Sequence, residues 1–143
     1  MSNLDTIKAV TENMEEVLRN EGIRFSLKTY EDERESPASL LPSGKIYYTG
    51  ESFQNAYGER PLYAEAEFVI KIVIGERDPA DLIRGQQMWA HKVRGALSAE
   101  ALNINGLAAT KYVSRVRIQR IDAENRKDTS TLICRAAVRY RES

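Results

Sequence analysis

The chain has 143 residues, the length of one domain that can bury an apolar core without disulfides or metal. Its 21 Lys and Arg balance 21 Asp and Glu, so no overall charge draws it to nucleic acid or membrane. A single cysteine, Cys134, excludes an intrachain disulfide and fits a reducing compartment. We expect neither a signal peptide nor a membrane segment, because no basic-then-apolar start and no long apolar run occurs.

Charge is distributed unequally along the chain. Residues 1–76 carry 8 Lys and Arg against 14 Asp and Glu, a net of −6, whereas residues 77–143 carry 13 against 7, a net of +6. Such separation suits head-to-tail self-association or stacking between unlike partners. The alternative is that both signs intermix once the chain folds.

The first predicted element is an amphipathic helix over residues 3–20. Its apolar residues recur at spacings of three and four, and Asp5 lies in the first turn. Gly22 can end this helix. A strand is predicted next, over Ile23–Tyr30.

Two long loops flanking a short strand follow. Glu31–Gly44 combines a charge cluster with two prolines, and Thr49–Pro61 is rich in turn residues. Lys45–Tyr48 between them is the predicted strand. Loops of this length are commonly functional or disordered. In the second loop, Phe53 and Tyr57 favour a contact surface, although folding back onto the core is at least an equal alternative.

The strongest pattern in the chain is the strand Leu62–Glu76. Its apolar residues alternate from Leu62 to Ile74, which predicts one buried face. The other face carries Glu65, Glu67 and Lys71. A strand of roughly 46 Å either bends at a bulge or projects as one arm of a hairpin with the preceding short strand.

A second helix is predicted over Pro79–Ala101, with Asp78 as its N-cap. Two strands close the chain, Leu107–Ile121 and Thr129–Arg141, joined by the polar connection Asp122–Asp128. In the first of these strands, Val113 falls on the same outward parity as the arginines. The predicted inner face of the second helix comprises Leu82, Ile83, Gln86, Trp89, Ala90, Val93, Ala96 and Leu97.

This order predicts a single α+β domain over residues 1–143. One mainly antiparallel sheet packs on two helices in two layers, with extended loops about 31–44 and 49–61 and a long loop or hairpin arm. The helices cover the apolar face of the sheet, and the outer face is the charged one.

Catalytic chemistry is not indicated. His91, the only histidine, lies on the second helix, and one His with one Cys does not make a credible zinc or nucleophile–histidine site. No glycine-rich phosphate loop is present. Cys134 falls at an inward strand position. We therefore predict a chain that is not an enzyme and has no catalytic, cofactor or metal site.

The candidate functional residues lie on the outer sheet face. Glu65 and Glu67 could be acid–base groups or magnesium ligands, but such pairs are more often cross-strand partners of arginine. The arginines of the last two strands could instead contact phosphates, without the outward aromatics that base recognition uses. The candidates for subunit-interface or DNA-channel contacts are Glu65, Glu67, Arg115, Arg117, Arg135 and Arg139.

The layout of the chain resembles the tail terminator and related neck proteins of long-tailed bacteriophages. After the first helix and long loop, ERPLY leads into the strand EAEFVIKIVIG. Asp78-Pro79 then opens a helix that ends in ALSAEALN, and two strands follow. The resemblance covers nearly the whole chain and is carried by order, length and pattern.

The resemblance implies a small α/β subunit of a ring, commonly a hexamer, that caps the tail tube and joins it to the neck or connector proteins. It implies location in the virion after assembly in the host cytoplasm, DNA passing non-specifically through the ring, and no catalytic residues or cofactor. Alternatives are another neck or head–tail connector protein, a tube-like subunit, a small enzyme using Glu65 and Glu67, or a small nucleic-acid-binding domain.

Overall fold

The computed structural model describes residues 3–25, 42–55, 61–75, 79–103, 113–125 and 129–141. The elements of these residues are α1 (Asn3–Asn20), β1 (Arg24–Phe25), β2 (Ser43–Asn55), β3 (Pro61–Gly75), α2 (Pro79–Ala96), α3 (Ala99–Leu102), β4 (Val113–Asn125) and β5 (Thr129–Arg141). The five described strands form one sheet in the order β1-β2-β3-β5-β4, and among their pairings only β1–β2 is parallel. The predicted α+β fold with a mainly antiparallel sheet is therefore confirmed.

The core lies between one face of the sheet and the helices. Strand β3 is in the middle of the sheet and pairs with β2 and β5 along its length, so it does not project as a free arm. Alternate residues of β3 and β5 are buried, as the period of two predicts. The large, fully buried side chains include Phe68, Ile70, Ile72, Val138 and Tyr140 from the sheet and Val10, Met14, Leu18, Val93 and Leu102 from the helices.

Helix α1 ends where the sequence predicts. Gly22 has a φ of 104°, a left-handed conformation that favours glycine. Its N–H donates to the carbonyl of Arg19, and the N–H of Ile23 donates to the carbonyl of Leu18. This pair of bonds is a Schellman motif, and Leu18 and Ile23, the two residues that it links, are both buried in the core.

The second predicted helix is in fact two helices. α2 ends at Ala96, and Ser98 starts α3 by accepting a hydrogen bond from the N–H of Ala101 through its hydroxyl (3.1 Å). The predicted inner face is confirmed for most of its residues, such as Leu82 and Val93. Ile83 is the exception, and its predicted place on the inner face is wrong. It is 53% exposed, because Leu82 takes the position toward the core.

The prediction of a short strand between two loops is wrong where the structure describes it. Strand β2 runs from Ser43 to Asn55, so residues 43–44 and 49–55 belong to a strand rather than a loop. The cause is a bulge: Tyr48 lies opposite Phe68 and Gly50 opposite Glu67, which leaves Thr49 as an extra residue. Residues 31–41 and 56–60 lie outside the described residues, as do residues 26–30 of the first predicted strand.

Strand β4 also departs from its prediction. It runs over Val113–Asn125, so residues 122–125 are strand rather than connection, while residues 104–112 and 126–128 lie outside the described residues. Ser114 and Gln119 are extra residues relative to β5. The first bulge inverts the alternation, and Val113, predicted to face outward with the arginines, is buried in the core.

None of the described helices is both long enough and apolar enough to cross a membrane.

Candidate functional site

The structure brings all six predicted residues together on the outer face of the sheet. Glu65 on β3 lies opposite Arg139 on β5, which in turn lies opposite Arg115 on β4. In the next row, Glu67 lies opposite Ala137 and Ala137 opposite Arg117. Arg135 follows one row further, opposite Val69. Alternating side-chain direction places these rows on the side away from the helices.

Short-range contacts order this face. Arg117 donates to the Glu65 carboxylate at 2.9 Å, a diagonal ion pair whose side chains are 48% and 27% exposed. The guanidinium of Arg139 lies over the ring of Tyr63, 4.2 Å from its centre. Lys71 is placed similarly over Tyr47, at 5.5 Å. Both are cation–π contacts at a partly solvated site.

Long side chains cover the small apolar residues of the outer face. Ala137 is only 1% exposed, although the helices are on the other side of the sheet. Its neighbours across the strands and along β5 include Glu67, Arg117 and Arg139, whose aliphatic stems can lie over it. The face is therefore a layer of charged side chains over a thin apolar floor, which suits contact with a partner better than enclosure of a substrate.

The outer face is positively charged. Across strands β2 to β5, register assigns it eight basic residues and four carboxylates, a net of +4. Arg115 lies directly opposite Arg139, and Arg120 opposite Arg135, although Arg120 also bonds Asp122 at 2.7 Å. Like charges opposed across strands are unfavourable unless counter-charges compensate. Counter-charges are present on the same face, since Glu65 lies opposite Arg139 and Asp122 bonds Arg120, and an anionic partner would add to this compensation.

The geometry of the described residues does not favour a metal site or a nucleophile–histidine site. Among the described residues, no group of three or more His, Cys, Asp or Glu side chains is placed to hold a metal ion. His91 is exposed on α2. Cys134 is 1% exposed, and burial raises the pKa of its thiol to about 11, which disfavours the nucleophilic thiolate. Its predicted role as a core residue is confirmed.

Two further surface features lie on the helix side of the sheet. The hairpin patch, comprising Tyr48, Glu51 and Phe53 on β2, faces the helix side because these residues lie opposite core residues of β3. Tyr48 and Phe53 are each 53% exposed. The Glu51 carboxylate accepts a hydrogen bond from the Tyr140 hydroxyl at 3.2 Å. Burial, followed by the nearby Glu51 carboxylate, raises the pKa of Tyr48.

The second feature is a groove between α2 and β4, of about 400 Å³. This α2–β4 groove has no signal in the sequence, because it depends on how α2 lies against the edge of the sheet. Phe53, in contrast, is predicted as a possible contact residue from its place among turn residues. The groove is lined by Gln86, Gln87, Ala90, Arg94, Ile118, Arg120, Ile121, Asp122, Ala123 and Leu132.

Neither a protein-family model nor a curated protein matches this chain. Among solved structures, 27 chains match. One is a chain of a structure described as the virion of native gene transfer agent (GTA) particle, with a TM-score of 0.51 and 13% sequence identity. The match covers 92% of this chain and 91% of that chain. At this identity, the similarity shows a shared fold over nearly the full length of both chains.

Proposed function

We propose that this chain is a structural subunit of a phage-like virion. The observation that carries the proposal is the fold shared with a chain of the gene transfer agent virion over 92% of this chain and 91% of that one. The layout of the sequence, which resembles phage tail terminator and neck proteins, supports it independently. The charged, partner-oriented outer face is also compatible with assembly rather than with substrate turnover.

Within the virion, the proposed role is that of a tail terminator. A ring of copies, expected to be six, would cap the completed tail tube and join it to the neck or connector proteins, with DNA passing through its centre. The net charges of −6 and +6 in the two parts of the chain support head-to-tail contacts of this kind. The alternatives are another neck or head–tail connector protein and a tube-like subunit.

The virion role is tested by mass spectrometry and immunogold labelling of purified particles from the source of this gene. We expect the chain in intact particles, with label confined to the junction between head and tail. Label along the whole tail would favour a tube-like subunit. Absence of the chain from particles, while known virion proteins are detected in the same sample, would contradict the proposal.

Deletion of the gene separates the finer roles. Loss of a terminator should give tails of uncontrolled length, because tube polymerisation no longer stops. Loss of another neck protein should give tails of normal length that do not join heads, and loss of a tube subunit should give no tails. Wild-type copies supplied in trans are the control and should restore joined particles.

A second candidate function is non-specific contact with DNA through the outer face. The opposed arginines, Arg115 with Arg139 and Arg120 with Arg135, favour it because phosphates would relieve their repulsion. A mobility-shift assay at low salt should show binding that Arg115→Ala and Arg139→Ala weaken. Each lost phosphate contact should reduce the slope of log affinity against log salt by about 0.9.

The matched control for this assay is Arg84→Ala. Arg84 is exposed on α2, away from the sheet, and pairs only with the neighbouring Asp81 at 3.6 Å. It should leave binding unchanged. No binding at low salt, or equal effects of all three substitutions, would remove the DNA-contact function.

A further inference from the structure

The exposed large apolar side chains of the described residues lie in two places. Tyr48 and Phe53 belong to β2, and Ile83 and Met88 belong to α2. Strand β2 lies toward one edge of the sheet, whereas α2 borders the groove along β4, the strand at the opposite edge. Ile83 and Met88 lie about 140° apart around α2 and neither lines the groove. Tyr48 and Phe53 share one face of β2 and therefore indicate a contact surface there.

The two aromatic rings of the hairpin patch are equally exposed but differ in their contacts. Tyr48 is held edge-on against Phe68, with 5.9 Å between ring centres. Phe53 lies opposite Ala64, whose methyl group offers a small area for packing. A protruding aromatic side chain of this kind is typical of an interface anchor that fills a pocket on a partner.

The α2–β4 groove has the composition that such an anchor requires. Ala90, Ile118 and Ile121 provide apolar lining, and Ala123, which is exposed on β4, leaves one side open. About 400 Å³ lies in the range of pockets that accept aromatic groups. Arg94 stands at the groove and makes no ion pair within the described part of the chain.

Charge gives the pairing a direction. Glu51 lies two residues from Phe53 on the same face of β2, and its contacts among the described residues are to hydroxyl groups rather than to a cation. The hairpin patch carries one carboxylate and no basic residue, whereas the charged residues that line the groove are Arg94, Arg120 and Asp122, a net of +1. A carboxylate beside the aromatic anchor and an arginine beside the groove are complementary.

We infer that Phe53 of one copy enters the α2–β4 groove of a second copy, with Glu51 of the first facing Arg94 of the second. The inference rests on the proposed function and specifies the surfaces through which copies of this chain would meet. Because the two surfaces differ and lie at opposite edges of the sheet, the contact is head-to-tail. Repeated copies then close into a ring or continue as a filament.

Sedimentation velocity on the full-length protein tests the inference with two variants. Phe53→Ser removes the anchor, and Ala123→Trp fills the groove; we expect each to weaken self-association by at least about tenfold. The controls are Ser52→Ala, next to the anchor but on the outer face, and Ala123→Ser, which keeps the groove open. Both controls should associate like the wild type.

Mixing the two weakened variants tests whether the anchor of one copy enters the groove of another. The Phe53→Ser variant keeps an intact groove, and the Ala123→Trp variant keeps an intact anchor. Their mixture should therefore form a one-to-one heterodimer, whereas neither variant alone should form a dimer. No heterodimer, or wild-type association by both variants, would overturn the inference.

Cross-linking tests the same contact if association is weak. Glu51→Cys mixed with Arg94→Cys, which leaves the Phe53 anchor in place, should give a dimer with a short bismaleimide, and Ser52→Cys mixed with Arg94→Cys should not. Cys134 is buried and is present in every variant. Equal yields would overturn the inference even for a monomeric protein. If the yields are equal and the chain is found in particles, the inference fails and the virion role stands. If the cross-link is specific and the chain is absent from particles, the contact stands and the virion role fails.

Discussion

The two faces of the sheet are built from the same strands but are held by different forces. Neighbouring residues of β3 illustrate the contrast: Ile70 is fully buried under the helices, and Lys71 lies half-exposed over Tyr47 on the other side. Where the helices cover it, the inner face is apolar and shielded from water. The outer face consists of ion pairs and cation–π contacts that water and salt can reach.

This contrast indicates a division of labour between the faces. Burial of apolar area contributes most of the stability of a domain, whereas exposed ion pairs contribute little each. The inner face should therefore determine whether the chain folds, and the outer face should be free to meet partners. Substitutions matched between the two faces test that division.

The largest expected effect is that of Phe68→Ala on the inner face. Phe68 is 1% exposed and packs against Tyr48, so truncation leaves a cavity and should lower the free energy of unfolding by about 3–5 kcal/mol. Ile133→Ala, at a half-buried position of the outer face, is the matched control and should cost less than about 1.5 kcal/mol. Urea unfolding measures both, and equal losses would contradict the division between faces.

A smaller effect is expected at high pH from Cys134, also on the inner face. Because burial raises the pKa of its thiol to about 11, the folded state favours the neutral thiol. The neutral buried thiol contributes its full stabilisation below about pH 8.5, the ordinary pKa of a cysteine thiol. This contribution is lost as the pH rises toward 11. The loss amounts to at most about 3 kcal/mol.

The measurement is the slope of unfolding free energy against pH between about 8.5 and 11, compared between the wild type and Cys134→Ala. The variant is less stable throughout because it leaves a cavity, but its slope should be shallower. Identical slopes would show that the thiol reaches solvent in the folded state, and the inner face would then be less sealed than its burial indicates.

Uninterrupted periodicity explains why some elements could be predicted closely. The helix over residues 3–20 and the strand Thr129–Arg141 have the predicted bounds, since each keeps one period from end to end. The bulges at Thr49, Ser114 and Gln119 shift the alternation of β2 and β4, so a period of two could not reveal the full length of these strands.

The candidate functional residues were likewise only partly predictable from the sequence. The six outer-face residues could be assigned to one surface because the parity of β3 and β5 is regular, and β4 regains it after its first bulge. The α2–β4 groove could not be predicted, because it results from the position of a helix against a sheet edge. The local sequence patterns of α2 and β4 do not specify the distance between this helix and the edge strand.

Gly44 and Gly95 give the next comparison, between a crowded glycine beside the inner face and an open one. A methyl group at Gly44 would lie 2.7 Å from Cζ of Phe25 and 2.8 Å from Cγ2 of Ile23, so Gly44→Ala should destabilise by about 1–3 kcal/mol. Gly95 in α2 has no such neighbour within 4 Å, and Gly95→Ala should stabilise by about 0.5–1 kcal/mol. Thermal unfolding checks both signs; a stabilising Gly44→Ala would mean that the β1–β2 pairing is looser than its contacts indicate.

The smallest effect is expected on the outer face, from the ion pair between Arg117 and Glu65. Its side chains are 48% and 27% exposed, so solvent screens the 2.9 Å contact, and a double-mutant cycle with Arg117→Ala and Glu65→Ala should give a coupling of about 0.2–1 kcal/mol. The coupling should fall as salt is added, because the charges are accessible to ions. The helical pair Arg19–Glu15, at 3.4 Å, is the control and should couple by about 0.3–0.5 kcal/mol. A coupling on the sheet above about 2 kcal/mol that resists salt would place the outer face among the structural parts of the fold and remove the reason to regard it as free for partners.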